Sequence, residues 1–479
     1  MRQQPAHILL IVAFLFCMLA SCRQEVVNPD SSLRLTLSTD SLAFDTVFTV
    51  AGSSTRRVTL YNRNPNAVVI SSAQLEVGDY FLVNIDGEQD RTRWQDITIR
   101  GGDSAFIFIR ASIDPQNQNN PVIVHDRLLL HYNGNTLALH LSAIAQDVTV
   151  LPQKRYQMPC HFTATKPYLV MDTLIFEQSV NIDAGATFYM HKNAAFFALN
   201  DFSASGSINQ PILFRGDRMD QLFDSVPYAY ASGQWSGIYL LADGKQTYTF
   251  RYVDILSGNI GLYCQNSSLT ALPELTIDGC RIHNMAVYGL ICLNQNATIT
   301  NTEISNCAAY CIYLHGGNYH LIHSTIAAYF GYPYTTINIH STHREDVAAV
   351  CVVNAPSDTT IATSAYIYNN IITGAHADNL LLLTNDTTAF PGAVCGNYLK
   401  ADSFLLPEVT DNVYASDTDI VFVNNHYLYK EYRYFDFRLD SLSPAIGVGI
   451  PAFSEPYPTD RQGLLRLPVP DAGCYQYTN

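Results

Sequence analysis

Five histidines, one arginine and two acids fall within a short stretch: His315, His320, His323, His340, His343, Arg344, Glu345 and Asp346. Imidazole exchanges protons near neutrality, and a neighbouring cation stabilises developing negative charge. Such a group offers a base plus a neutraliser for eliminative cleavage, or ligands for a divalent metal. Hydrolysis of a glycosidic bond has a different demand, a pair of carboxylates flanking the bond. Asp217 and Asp220 are close in sequence, but nothing nearby completes a cation ligand set, and they read as turn formers. The nine cysteines after residue 22 show no CxxC or Cys/His spacing, so no metal or other cofactor is expected. Most of these thiols should act as small core residues.

The elements that would position these residues follow from an internal repeat. Residues 275–295, 297–317 and the stretch from 319 align at a step of 22 residues. At that step recur Ile277, Ile299 and Leu321, then Ile282, Ile304 and Ile326, then Leu290 and Ile312. A period in the low twenties, rich in β-branched residues and asparagine, indicates one coil of a parallel β-solenoid per repeat. Coil 249–268 fits with one residue inserted or deleted between strands, and 362–384 fits more loosely around Ile367 and Ile372.

Rungs of such a coil lie about 4.8 Å apart, so equivalent side chains stack. Leu262, Leu290 and Ile312 should form one inward ladder, and Cys264, Cys292 and Leu314 the next. Asn284 and Asn306 should stack amides at a turn. Tyr288, Tyr310 and Tyr332 share the same step and are expected to pack a corner; exposed, they would form a sugar platform. The expected outward stacks are Thr276/Thr298/His320, Asp278/Thr300/Ile322 and Arg281/Glu303/Thr325. None gathers carboxylates. His315, His320, His340, His343, Arg344, Glu345 and Asp346 therefore remain the candidate ligand-binding residues, and no catalytic residue is assigned.

Several stretches resemble known families. "V-x-I-x-A-G-A-x-F" at 180–188 is similar to the opening rungs of right-handed parallel β-helix proteins of the pectate-lyase-like superfamily. That resemblance implies polysaccharide lyase or glycoside hydrolase activity as one option. The polygalacturonase pattern is only partly present, as Asn301-Thr302-Glu303 and His315-Gly316-Gly317. Residues 33–148 alternate apolar and polar residues in short runs separated by turns, which predicts a β-sandwich. Phe44–Phe48 and Asp114–Asn119 within it resemble the Hydin-like immunoglobulin modules of Bacteroidetes lipoproteins, which serve as spacers or adhesion units. The tail, with Ser443-Pro444-Ala445-Ile446 and Asp471-Ala472-Gly473-Cys474, resembles the motif that closes many bacterial surface β-helix proteins. It is expected to cap the last open rung.

At the other end, Arg2, an apolar run over residues 8–18 and Leu19-Ala20-Ser21-Cys22 match a bacterial lipobox. The run is too short to span a bilayer and reads as a cleaved export signal, with Cys22 as the lipid attachment site. The expected organisation is thus all-β: signal peptide 1–21, tether 22–32, immunoglobulin-like sandwich 33–148, right-handed parallel β-helix 165–430 and capping segment 431–479. With 27 basic against 42 acidic residues the net charge is −15, which disfavours nucleic acid as a partner. The expectation is an outer-membrane lipoprotein, held by its lipid, whose β-helix binds glycan or an envelope protein. Polysaccharide cleavage is the alternative.

Overall fold

Short alternating strands cannot bury one face alone, and this chain solves the problem in two ways. The computed structural model describes residues 26–91, 93–223, 226–330, 348–385, 390–401, 408–425, 435–466 and 468–478. Cys22 and the signal segment lie outside these residues, as do His340, His343, Arg344, Glu345, Asp346 and Tyr332. The chain divides into two units, at Asp147 and Val148.

In the first unit two five-stranded sheets share one core. One sheet holds Leu35–Leu37, Arg56–Asn62, Ser104–Ala111, Phe81–Ile85 and Glu88–Arg91; the other holds Ser41–Phe48, Asn135–Gln146, Val122–Tyr132, Val68–Leu75 and Arg93–Ile99. Val58, Ile70, Val83, Ile107, Leu128 and Leu139 are fully buried between them. This is the expected sandwich, with burial alternating residue by residue along Ser104–Ala111.

The second unit is a parallel β-helix with three walls. Sheet I has eleven strands, from Thr149–Leu151 to Val413–Tyr414; sheet II nine, from Lys154–Tyr156 to Leu380–Thr384; sheet III ten, from Cys160–Phe162 to Glu408–Thr410. The first coil pairs in register from Thr149, so the solenoid starts ahead of residue 165. Its opening strands span only three residues each, with Pro152 and Pro159 between them, too brief for an alternation signal.

The expected ladders form. Ile282, Ile304 and Ile326 pair in one column of sheet I, each fully buried. Leu262, Leu290 and Ile312 stack in sheet II, with Cys264, Cys292 and Leu314 beside them. In the early coils aromatics fill the same space; Phe188 and Phe214 stack at 4.6 Å. All nine described cysteines are free thiols, and eight are buried.

The corners explain the asparagines. Between sheets III and I the chain turns through one left-handed residue per coil: Tyr252, Gly279, Asn301, His323, Asn369, Gly396 and Asp411. Asparagine tolerates this conformation better than most side chains. At Gly279 a Cβ would also meet the Tyr252 ring at 2.7 Å. The next position carries an amide ladder, in which the Asn370 backbone N–H donates to Asn397 Oδ1 and the Asn397 N–H to Asn412 Oδ1. At the corner between sheets I and II, Asn306 Nδ2 donates to Asn284 Oδ1 at 3.0 Å, as expected. Tyr288 and Tyr310 stack there at 6.1 Å but stay half-buried rather than entering the core, since Tyr288 only opens its strand and Tyr310 lies in the turn ahead of Ile312–His315.

The tail corrects a second expectation. Its described residues lie along the outer face of sheet I instead of closing the last coil. Phe422, Phe437, Leu439, Ala472, Cys474 and Tyr475 form a separate core with Ala327, Ile371 and Tyr398 of that face. Val413 and Tyr414 in the last coil remain exposed. Apolar residues on the outside of sheet I give the tail more surface to bury than a single terminal rung offers.

Candidate functional site

Each wall presents a different outer face, set by the residues that alternate with the inward ladders. On sheet I one outward column runs Asp254, Arg281, Glu303, Thr325, and its neighbour runs Leu256, His283, Ser305, Ala327. The register of Arg281, Glu303 and Thr325 matches expectation; their exposure does not, since Glu303 is only 4% accessible under the tail. Arg461 reaches from the tail to Asp254 Oδ1 at 2.7 Å. The Tyr475 hydroxyl donates to Glu303 Oε2 at 2.6 Å, and Ser305 Oγ to Glu303 Oε1 at 2.8 Å. Arg281 stands 3.6 Å from the same carboxylate, and His283 Nδ1 contacts Ser305 Oγ at 2.8 Å.

This is a dense titratable grouping among the described residues, and its electrostatics argue against catalysis. Burial works to raise Glu303, but Arg281, Arg461 and the Tyr475 hydroxyl outweigh it and hold the carboxyl below its ordinary value. A general acid in glycoside cleavage needs the opposite shift. Burial raises Asp254, yet its side chain is engaged by Arg461. Burial, helped by Arg281, lowers His283 to about 3, so it is neutral. The cluster is a seal between tail and coil.

Sheet II is different. Its outward column runs Ile175, Phe197, Tyr239, Tyr263, Ile291, Tyr313, Cys351, Leu381. Phe197 and Tyr239 lie 4.5 Å apart and nearly parallel, while Tyr239 and Tyr263 are 5.7 Å apart and tilted by 44°. The adjoining column runs Leu241, Gln265, Leu293, His315, Val353. No carboxylate stands in either column on these coils, among the described residues. The longest described connections, 217–236, 267–273 and 355–362, all adjoin sheet II, whereas the corner between sheets III and I takes three to six residues in the first coils and one to two from Tyr252 onward. Sheet II is therefore the wall flanked by loops on both edges, where binding surfaces are usually built.

Sheet III carries a flat polar face. Ser203, Thr249, Thr276, Thr298, His320 and Tyr366 form one column. Beside it, Asn296 Nδ2 donates to Glu274 Oε1, and Ser364 Oγ to Asn318 Oδ1.

The candidate histidines disperse across these walls. His315 ends a strand of sheet II, half-buried, with Nε2 3.2 Å from the Ala355 carbonyl oxygen. His320 stands on sheet III, stacked 5.0 Å from Tyr366, and burial lowers its pKa. His323 occupies the left-handed corner between sheets III and I, buried against Ser454 and Asn369. The structure does not bring these three together. His340, His343, Arg344, Glu345 and Asp346 lie outside the described residues. Among the described residues no group of three or more His, Cys, Asp or Glu could hold a metal ion.

Sequence reading passed over Tyr239, Tyr263 and Tyr313. The signal is their outward parity beside Leu240, Cys264 and Leu314, hidden because they are separated by 24 and then 50 residues. In the sandwich, a cavity of about 460 Å³ is lined by Glu76, His125, Arg127 and His140. Arg127 already pairs there with Glu76, Nε to Oε2 at 2.7 Å.

Comparison with known proteins agrees with the coil. A family model described as a right handed beta helix region matches residues 236–388. No curated protein matches the chain. Among solved structures, a family 123 glycoside hydrolase from Clostridium perfringens, studied for glycolipid glycan hydrolysis, is similar at 10% identity and a TM-score of 0.18. The likeness covers 27% of this chain and 30% of that one, and at this score carries no argument. The second unit is a right-handed parallel β-helix.

Proposed function

We propose that the chain is a lipid-anchored protein of the bacterial outer membrane, attached through Cys22. Its β-helix binds glycan or another envelope partner and does not cleave it. The N-terminal sandwich, similar to an immunoglobulin-like module, serves as spacer. One observation carries the reading: the loop-flanked face of sheet II offers Tyr239, Tyr263 and Tyr313 with no carboxylate beside them in their columns among the described residues. Aromatic rings bearing a hydroxyl combine apolar area with a polar tip, as sugar-binding surfaces require. Cleavage would need acid and base groups on that face. Asp254 and Glu303, whose charges act on one another, serve the tail.

A glycan array probed with soluble residues 23–479 tests the reading. Retention of a carbohydrate, with no unsaturated or reducing-end product released, is expected. If no carbohydrate is held at millimolar concentrations, the glycan version is removed. For the anchor, Cys22→Ala should move the protein from the membrane fraction to the soluble exported one. Protease shaving of intact cells should remove the sandwich and coil if both face outward.

A further inference from the structure

The start of the sandwich is tied down by its own backbone. Val27 bridges Ala67, the Asn28 N–H donates to the Ala67 carbonyl oxygen at 3.0 Å, and the Ala67 N–H to that of Val26 at 3.2 Å. Asn133 Nδ2 donates to the carbonyl oxygens of Asn28 and Asp30, and Asn135 Nδ2 to that of Ser31, each at 3.0 Å. Residues 26–31 are thus bound to two turns, 63–67 and 133–134. A third turn braces them. Buried Asn62 donates from Nδ2 to the carbonyl oxygens of Asn66, Ile99 and Arg100, and a Cβ at Gly101 would lie 2.3 Å from the Pro65 oxygen. Little chain separates this rigid end from the lipid attachment site. Val26 follows Cys22 by four residues, so a fully extended backbone reaches at most about 14 Å.

Two apolar side chains stand where that leash meets the sandwich, Val26 at 64% and Val27 at 49% exposed. So short a leash keeps them at the lipid surface at high effective concentration, and a small apolar contact with the headgroup boundary is then enough to hold them there. We infer that Val26, Val27 and the turns 63–67 and 133–134 form a docking surface for the bilayer, on which the sandwich stands end-on. This rests on the Cys22 anchor proposed above and adds which face meets lipid. The far end follows from the strands. Asn135–Gln146 starts beside the docking turn and runs for twelve residues, about 36 Å at the usual rise, before the unit ends at Asp147. Charge does not direct the contact. Among the described side chains Arg34, Arg63 and Arg100 are matched at this end by Asp30, Asp86 and Asp103, and the whole chain carries −15. Anionic headgroups are therefore not required, and salt should not loosen the contact.

The lipidated protein reconstituted in phosphatidylcholine vesicles tests it, with nitroxide-labelled lipid as quencher. Trp94 and Trp235 are buried, so a tryptophan added on the surface reports its own surroundings. Val27→Trp should lose most of the emission it adds, in low and high salt alike. Gln118→Trp, on the far connection beside Asp147, should lose almost none. About twelve glycine and serine residues inserted between Glu25 and Val26 should restore most of the Val27→Trp emission while the protein stays in the membrane fraction. Circular dichroism checks folding, and Val26→Trp carries the test if Val27→Trp does not fold. Equal emission from the near and far probes, quenched or not, overturns end-on docking while the anchor stands. Quenching that survives the insertion overturns the leash as its cause, and quenching lost in high salt overturns the apolar contact. Protein that does not partition with membranes, or does so equally well as Cys22→Ala, overturns the anchor itself.

Discussion

Asp254, Arg281, His283 and Glu303 occupy outward positions on consecutive coils of sheet I, and Tyr239, Tyr263 and Tyr313 occupy outward positions on sheet II. The wall with the chemistry-bearing residues is sealed, and the wall that stays partly exposed presents aromatic rings. This reverses the usual expectation that charge faces water. The reason is the tail. It supplies Arg461 and Tyr475 to charges that would otherwise be desolvated unpaired, and its apolar residues bury Ala327, Ile371 and Tyr398 of sheet I. Titratable groups on a solenoid face are therefore no guide to its active surface until it is known what covers them.

The sharpest way to break this contrast is to remove the tail's cation. Arg461→Ala leaves Asp254 without its partner and Glu303 with less compensation. Removing one member of a buried pair costs about 3–5 kcal/mol, read from denaturant unfolding of the second unit. If the change costs under about 1 kcal/mol, the network is a surface ornament and sheet I is only loosely covered.

Acid should separate the two faces next. The unfolded His283 imidazole takes up a proton below about pH 6.5, while in the folded chain it stays neutral down to about 3. The unfolded state then binds more protons, so stability present above about pH 6.5 is lost as the pH falls. Burial depresses His323 in the same direction. Glu303, held below its ordinary value, adds a further loss through the carboxylate range, and Asp254, raised by burial, opposes it there. Unfolding free energy should therefore fall between about pH 6.5 and 5, and His283→Gln with His323→Gln should flatten that slope. A profile flat to about pH 5 in the unaltered protein would show that neither imidazole is kept from protons.

The same contrast explains what the sequence made legible. Inward ladders repeat at a fixed step wherever coils have equal length, so Ile282, Ile304 and Ile326 announce themselves, and so do Asn284 and Asn306. The outward tyrosines share that register but sit on coils lengthened by connections such as 267–273, which erases the period. The seal was out of reach for another reason. Arg461 meets Asp254 across 207 residues, and no local pattern encodes that pairing. His315, His320 and His323 looked like a cluster because they are neighbours in sequence. A coil that turns twice within those nine positions sends them to sheet II, sheet III and a corner.

On the open wall the effects should be smaller. Tyr239→Leu keeps apolar area on an outward, half-buried position and removes one stacking partner of Phe197. The expected loss is about 0.5–1.5 kcal/mol, well below that of Arg461→Ala, and the tail should keep its protection from proteolysis. A loss equal to that of Arg461→Ala would mean that the aromatic column is a structural spine, leaving sheet II no special claim as a binding face.

Sheet III sets the lower limit. Thr276 and Thr298 stand on adjacent rungs with their side chains outward, and among the described residues their hydroxyls take no hydrogen bond from the chain. Valine has the same branched shape and suits a strand equally well, so Thr276→Val with Thr298→Val removes two solvent-facing hydroxyls and little else. Stability should change by no more than about 0.5 kcal/mol per site, and carbohydrate retention should be untouched. Because a sugar could be held by rows of hydroxyl groups as well as by rings, this pair discriminates between the two open walls. If retention is lost in the double valine variant while Tyr263→Ala and Tyr313→Ala bind normally, the ligand lies across sheet III, and the aromatic column of sheet II is there for packing alone.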